Sequence, residues 1–365
     1  MKYRRMPIEA ESPEERGYNN IACNLAESSV SDFNFKDLNF DVKDITLCYG
    51  DHKGLPELRQ MLAERYKMKP EHFIITPGAA AGLFIVSTSI LNKQNRLLVQ
   101  RPNYITNIET PRLQECEIDY IDLKFEESYQ FDLFKLNTMA QKRPALISIT
   151  TPHNPTGTAL NEDELNETIE ITEKNNSYLL VDETYRDLSF NKALPLAASL
   201  SDKVISVSSV SKAFGLPGIR IGWIACKNKR LLETFLAAKE QIFICNSVLD
   251  ENVALFYFKN ENRFFPSVKK HIAHNFAILK NFMQNTKNLE WVEPQGGVVC
   301  YPRIKSRINY TLFYDTLYKK YKTIVGPGHW FETDKRYMRI GFGWPTAEEL
   351  QKGLENIDKT IESLK

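Results

Sequence analysis

An α/β fold, with a mostly parallel sheet in a large domain and a smaller α+β domain beside it, is what the 365-residue sequence predicts. Three observations carry this. Short β-rich runs alternate with longer segments of helical period between about Tyr49 and Cys226. Several of the runs are apolar throughout, as strands buried on both faces of a parallel sheet are. The length also exceeds the ~100–200 residues usual for one domain.

Taken in order, a polar, turn-rich arm runs to about Tyr49. FIIT (73–76) then reads as a strand entering the helix GAAAGLFIVSTSIL (78–91). LLVQ (97–100), DYIDL (119–123), ALISITT (145–151), YLLVDE (178–183), VISVSS (204–209) and GWIAC (222–226) follow as strands. Between them NEDELNETIEITEKNN (161–176) opens with an Asn cap and an acidic first turn, and sets Leu165, Ile169 and Thr172 at helical spacing. Such βαβ order places ligands at the carboxyl ends of the strands. From about Lys229 the pattern changes to long helices (229–258 and about 263–285). Mixed short strands follow, VVCYPRI (298–304) and YMRIGF (337–342), and then a last helix from about Thr346. The expected division is an arm (1–48) belonging with the small domain, a large domain (49–245) and a small C-terminal domain (246–365), with the cleft between them.

Charge and composition narrow the ligand. Lys plus Arg number 47 against 46 Asp plus Glu, a net charge of +1, which offers no basic field for nucleic acid and favours a small molecule. The most apolar run, GLFIVSTSIL (82–91), is too short and too rich in Ser and Thr to cross a bilayer, so no membrane partner is expected. The N-terminus has no apolar segment of the secretory kind. Six cysteines without a C-x-x-C pair suit a reducing cytoplasm and predict no metal site.

Four stretches bear chemistry, each where a predicted strand ends. In ITPGAAAG (75–82) a strand stops at Thr76, Gly78 permits a tight turn, and alanines start a helix whose bare N–H groups suit a phosphate; an ordinary βα turn would use the same small residues. TTPHNPTG (150–157) brings His153 and Asn154 to a strand end. In YLLVDETYRDL (178–188) a buried strand ends on Asp182 with Tyr185 just beyond; a buried carboxylate needs a partner, and a helix cap or structural ion pair would also supply one. In VISVSSVSKAFGLPGIRIGW (204–223) Lys212 stands among serines close to Arg220. A lysine is a nucleophile only when neutral, and a neighbouring cation with partial burial favours that form. Arg220, Ser209 and Ser211 also make a pocket for a phosphate dianion. An amine for an aldehyde, a phosphate cradle, and a carboxylate able to keep a pyridine nitrogen protonated together describe pyridoxal phosphate.

The chain resembles fold-type I pyridoxal-phosphate enzymes of the class I/II aminotransferase family. The resemblance rests on S-V-S-K-A-F-G-L-P-G-I-R-I-G-W, on P-H-N-P-T-G and D-E-T-Y in the same order and spacing, and on Y-G-D-H-K-G-L-P-E-L-R (49–59), P-N-Y (102–104), P-Q-G-G (294–297), G-P-G-H-W-F (326–331) and Y-M-R-I-G-F (337–342). It implies that Lys212 bonds to the cofactor aldehyde and later moves the Cα proton, and that Asp182 pairs with the pyridine nitrogen. It implies further that Asn154 and Tyr185 bond the ring's phenolic oxygen and that Tyr104 stacks on the ring. Ala79 and Ala80 N–H groups, Ser209 and Arg220 would hold the phosphate, and Arg339 the substrate α-carboxylate, beside Asn154. A homodimer is implied as well, with Tyr49 reaching the phosphate of the neighbouring subunit.

The implied reaction moves an amino group from an amino acid to a 2-oxo acid. The same cofactor also serves lyases, cyclases and decarboxylases, which stay open as alternatives. A catalytically silent binding or regulatory use of the fold is disfavoured by the intact Lys212 and Asp182 and by an arm too short for a DNA-binding module. The arm NLAESSVSDF (24–33) departs from the glycine- or asparagine-rich segment of many relatives and is similar to that of a subgroup including capreomycidine-synthase-like proteins. Trp330, Phe331, Tyr104 and Tyr49 are candidates for an aromatic pocket, or for packing.

Overall fold

A computed structural model describes residues 3–365 of the chain. The strands are β1 (Cys23–Leu25), β2 (Phe73–Thr76), β3 (Arg96–Arg101), β4 (Glu117–Asp122), β5 (Leu146–Thr150), β6 (Tyr178–Asp182), β7 (Val204–Ser209), β8 (Gly222–Cys226), β9 (Leu289–Glu290), β10 (Val299–Cys300), β11 (Arg303–Ile304), β12 (Thr323–Pro327) and β13 (Met338–Gly341). Seven form one sheet in the order β2-β8-β7-β6-β5-β3-β4, in which β8 alone runs antiparallel to its neighbours.

The apolar runs are apolar because both faces of this sheet are covered. Phe73 and Ile75 of β2 enter one core with Trp223, while Ile74 between them enters the other with Val207 and Ile224. The helix Gly78–Ile90 packs on β7 and β8, and Lys229–Phe243 packs on that helix. In Glu162–Lys174 the Asn161 side chain accepts from the Glu164 N–H and the Glu164 carboxylate accepts from the Asn161 N–H, so the predicted cap is a full capping box.

A second sheet, β1-β12-β13-β10, gathers distant parts of the chain. Strand β1, from the arm, lies parallel to β12 in the register Cys23↔Thr323, and the helix Ala347–Glu362 packs over it. The arm, read from sequence as turn-rich, thus contributes a strand, together with short helices at Pro7–Ala10, Pro13–Arg16 and Phe35–Leu38.

Two further expectations are corrected. The stretch 229–258 is two helices, Lys229–Phe243 and Val248–Lys259, because the chain turns at Ile244 (φ 50°) and restarts where the Ser247 hydroxyl accepts from the Asp250 N–H. The run 298–304 is two short strands, β10 and β11, divided around Pro302, which has no N–H to offer a ladder. No described helix is long and apolar enough to cross a membrane.

Candidate active site

The carboxyl ends of β5, β6 and β7, the start of the helix Gly78–Ile90 and the middle of β13 converge on a cavity of 520 Å³. Its lining includes Ala79, Ala80, Tyr104, Asn154, Asp182, Tyr185, Ser209, Lys212, Arg220 and Arg339. Tyr49 lies elsewhere on this chain and is 83% exposed. His153, three residues past the end of β5, faces a separate cavity of 270 Å³; its Nδ1 bonds Thr156 Oγ1 at 2.8 Å, and burial pushes its pKa down to about 3. Trp330 reaches the first cavity, whereas Phe331 is fully buried beneath the Arg339 guanidinium, 5.1 Å from its ring centre.

Each side chain is placed by a local device. Strand β7 ends on Ser209, whose hydroxyl accepts from the Ser211 N–H and starts the short helix Val210–Ala213 that carries Lys212. The chain then turns at Arg220, a non-glycine residue at φ 49°, so that its Nη1 donates to Ser211 Oγ (3.2 Å) and to the Pro217 carbonyl (2.9 Å). Gly78 (φ +78°) leaves the room the guanidinium occupies, since a Cβ there would overlap Arg220 Nη2. Gly222 opens β8 against the same turn: a Cβ on it would lie 2.5 Å from Gly78 C and 2.7 Å from Ala79 N. The helix beginning at Gly78 has no side-chain cap, which leaves the N–H groups of its first turn unbonded by any side chain.

The charges are unusual in lacking partners. Asp182, 4% exposed, accepts at Oδ1 from the Thr184 N–H (3.1 Å) and hydroxyl (2.6 Å), yet no cation pairs with it among the described residues. Burial pushes its pKa up, and the Thr184 hydrogen bonds oppose this. Arg339, equally buried, donates from Nη1 to Asn154 Oδ1 (3.0 Å) and from Nη2 to the Ala26 carbonyl (2.6 Å); its Nε is unbonded, and no carboxylate pairs with it among the described residues. Burial pushes its pKa down. The Tyr185 hydroxyl donates to the Ser28 carbonyl (2.8 Å), and burial pushes its pKa up to about 12. No hydrogen bond to Lys212 Nζ is made among the described residues.

Pyridoxal phosphate fits this donor set. The uncapped helix start, the Ser209 and Ser211 hydroxyls and the Arg220 guanidinium can hold a dianion. A buried carboxylate without a cation is costly, and a protonated ring nitrogen would give Asp182 its counter-ion. An unbonded lysine amine faces the same space.

The arm stretch 24–33 stands out in the sequence, but no arm residue is expected from it to be part of the cavity wall, to which the arm gives Ile8, Glu9, Ser12, Pro13, Glu14, Tyr18, Ala26, Glu27 and Ser28. Thr184, inside the quoted D-E-T-Y, was the one overlooked residue with a local signal: a hydroxyl two positions after a buried carboxylate.

A family model described as aminotransferase class I and II matches residues 38–357. An aspartate aminotransferase of Pyrococcus horikoshii is 25% identical over 328 residues, covering 87% of this chain and 84% of that protein. The HTH-type transcriptional regulator NorG of Staphylococcus aureus is 25% identical over 334 residues, 87% of this chain and 73% of the regulator. Among solved structures, a PLP-dependent aminotransferase from Streptococcus suis superposes with a TM-score of 0.92 at 26% identity, covering 100% of this chain and 99% of the other. The PLP-dependent cyclase OrfR superposes at 0.89 with 22% identity, covering 100% and 99%. With the fold, the cavity and these likenesses in agreement, the chain belongs to the class I and II aminotransferase family, and its cofactor is pyridoxal phosphate.

Proposed function

We propose that the protein is an aminotransferase that moves an amino group from an amino acid to a 2-oxo acid, acting as a cytoplasmic homodimer. The observation that carries this reading is the pair of buried, unpartnered charges, Asp182 and Arg339, on the same cavity as the unbonded Lys212. Bound pyridoxal phosphate supplies an electron sink for the electrons released when the Cα–H bond breaks. Lys212 holds the cofactor and then carries the proton from Cα. Asp182 keeps the ring nitrogen protonated, and Thr184 fixes the carboxylate in place through two hydrogen bonds. Ala79, Ala80, Ser209 and Arg220 hold the phosphate. Tyr104 would stack on the ring, Asn154 would donate to its phenolic oxygen, and Tyr185 would do so on turning its hydroxyl hydrogen away from the Ser28 carbonyl.

Arg339 takes the α-carboxylate in its planar fork, and its bond to Asn154 ties the substrate anchor to the cofactor's edge. The exposed Tyr49 of each chain serves the phosphate of its partner. The large domain of this reading spans 49–245, and the arm (1–48) works with the small domain (246–365), support for which is the pairing of β1 with β12.

The test is to give the holoenzyme a 15N-labelled amino acid and an unlabelled 2-oxo acid. Labelled amino acid derived from the acceptor is expected. Release of labelled ammonia or of carbon dioxide, or a cyclised product, would instead assign a lyase, decarboxylase or cyclase.

A further inference from the structure

The outer half of the cavity is acidic. Of the titratable residues lining it, the cations are Lys212, Arg220 and Arg339, all of them on the two sheets or the turns that follow their strands. The arm, which forms the opposite wall, contributes Glu9, Glu14 and Glu27 and no cation. None of the arm's arginines lines the cavity: Arg5 pairs with Glu15 at 3.0 Å and reaches the Glu9 backbone carbonyl, and Arg16 lies over the Tyr318 ring and bonds the Glu11 carbonyl.

Glu27 is the innermost of the three acids. It is 9% exposed, and its one hydrogen bond among the described residues comes from the Tyr18 hydroxyl to Oε1 at 3.1 Å, which leaves Oε2 without a partner. It also follows directly on Ala26, whose carbonyl receives Arg339 Nη2. A substrate whose carboxylate sits on Arg339, the buried guanidinium with an unbonded Nε, therefore meets Glu27 at the start of its side chain.

An acidic side chain in that position would be set against three carboxylates whose neighbouring cation on the cavity, Arg339, already holds the α-carboxylate. A neutral one would strip water from Glu27 and give nothing back. We infer that the amino-acid substrate carries a cationic side chain, an ammonium or guanidinium, received by Glu27 with Glu14 and Glu9 at the mouth. The inference rests on the proposed placement of the α-carboxylate on Arg339 and names the substrate class for that site. The Tyr18 hydroxyl acts as a positioning group, holding one oxygen of Glu27 so that the other faces the cavity.

The test is equilibrium binding, by titration calorimetry of the holoenzyme with α-methylornithine, α-methylnorvaline and α-methylglutamate. These have no Cα hydrogen to lose, so affinity is read apart from turnover. α-Methylornithine is expected to bind at least about tenfold more tightly than α-methylnorvaline, the ratio a charge-assisted hydrogen bond supplies, and α-methylglutamate to bind most weakly. Glu27→Gln keeps an acceptor for Tyr18 and removes the charge. It is expected to narrow the ornithine-to-norvaline ratio to below about threefold while moving norvaline affinity little. Equal affinities, tightest binding of the glutamate analogue, no measurable binding of the ornithine analogue, or an unchanged ratio in Glu27→Gln overturns the inference; the ranking in the unmutated protein decides by itself if that variant does not fold. Selective binding of the cation without amino transfer leaves this assignment standing and removes the transaminase reading. Amino transfer with no preference for the cationic analogue does the reverse.

Discussion

Arg339 shows how much one residue can be asked to do. It occupies three neighbours at once, through Asn154, the Ala26 carbonyl and the Phe331 ring, while its Nε stays free. Lysine in its place keeps the charge but loses the fork, so Arg339→Lys is expected to lower kcat/KM by about 1.5–3 kcal/mol, roughly ten- to a hundredfold, in steady-state kinetics. Unchanged kinetics would leave Arg339 as a packing residue of β13.

Next to Asp182, Glu183 points the other way and has a different consequence. Burial pushes its carboxyl from 4.5 up to about 7, against a hydrogen bond from Ser206, the pull of Arg186 and the Ala197 N–H at 3.1 Å. Between those two pH values the folded chain holds a proton that the unfolded chain has lost. The associated stability is therefore full below about pH 4.5 and is lost as pH rises through about 7. A shift of that size is worth about 3 kcal/mol. Glu183→Gln removes the titration, so its melting temperature relative to the parent is expected to be higher at pH 8 than at pH 5 by a few degrees. An offset that is the same at both pH values would show that Glu183 does not titrate in this range.

At the scale of elements, the cradle depends on how closely β8 approaches the helix beginning at Gly78. Gly222→Ala would press a methyl against the backbone of Gly78 and Ala79, atoms that cannot rotate away. The expected result is a loss of about 1–3 kcal/mol in stability together with at least tenfold weaker cofactor retention on dialysis. A variant that melts as the parent does and keeps its cofactor would mean that the contact gives way easily. The strands of the large sheet were legible in sequence because burial on both faces leaves an unbroken apolar run, as in FIIT and GWIAC. The break after Phe243 was not, because apolar residues continue through Ile244 and only Ser247, three places before Asp250, marks the restart. The residues of the cavity that follow β5, β6 and β7 were legible for the same reason as those strands: each stands at the point where an apolar run stops.

For the whole molecule, the arm was the illegible part. Ala26 and Ser28 gain their meaning from Arg339 of β13 and from Tyr185, and no local pattern announces partners that distant in the chain. The proposed homodimer brings in a further long-range contact, since the exposed Tyr49 has no part in its own chain's cavity. Refolding an inactive Lys212→Ala chain with a Tyr49→Ala chain tests it. Random pairing makes about half the dimers mixed, and one site in each regains both residues, so about a quarter of all sites should recover native activity. If both residues serve the same subunit, the mixture gains nothing over the average of its parents.

The register of β1 with β12 also sets an order of events during synthesis. Cys23 leaves the ribosome 300 positions before Thr323 (323 − 23), its neighbour in the finished sheet. At about 5–20 residues per second, that interval is roughly 15–60 s. All seven strands of the large sheet are complete by Cys226, so it can assemble while the arm still waits for its mate. In the newborn chain the cavity can therefore acquire its floor first, and the acidic wall can close over it only after β12 has been made.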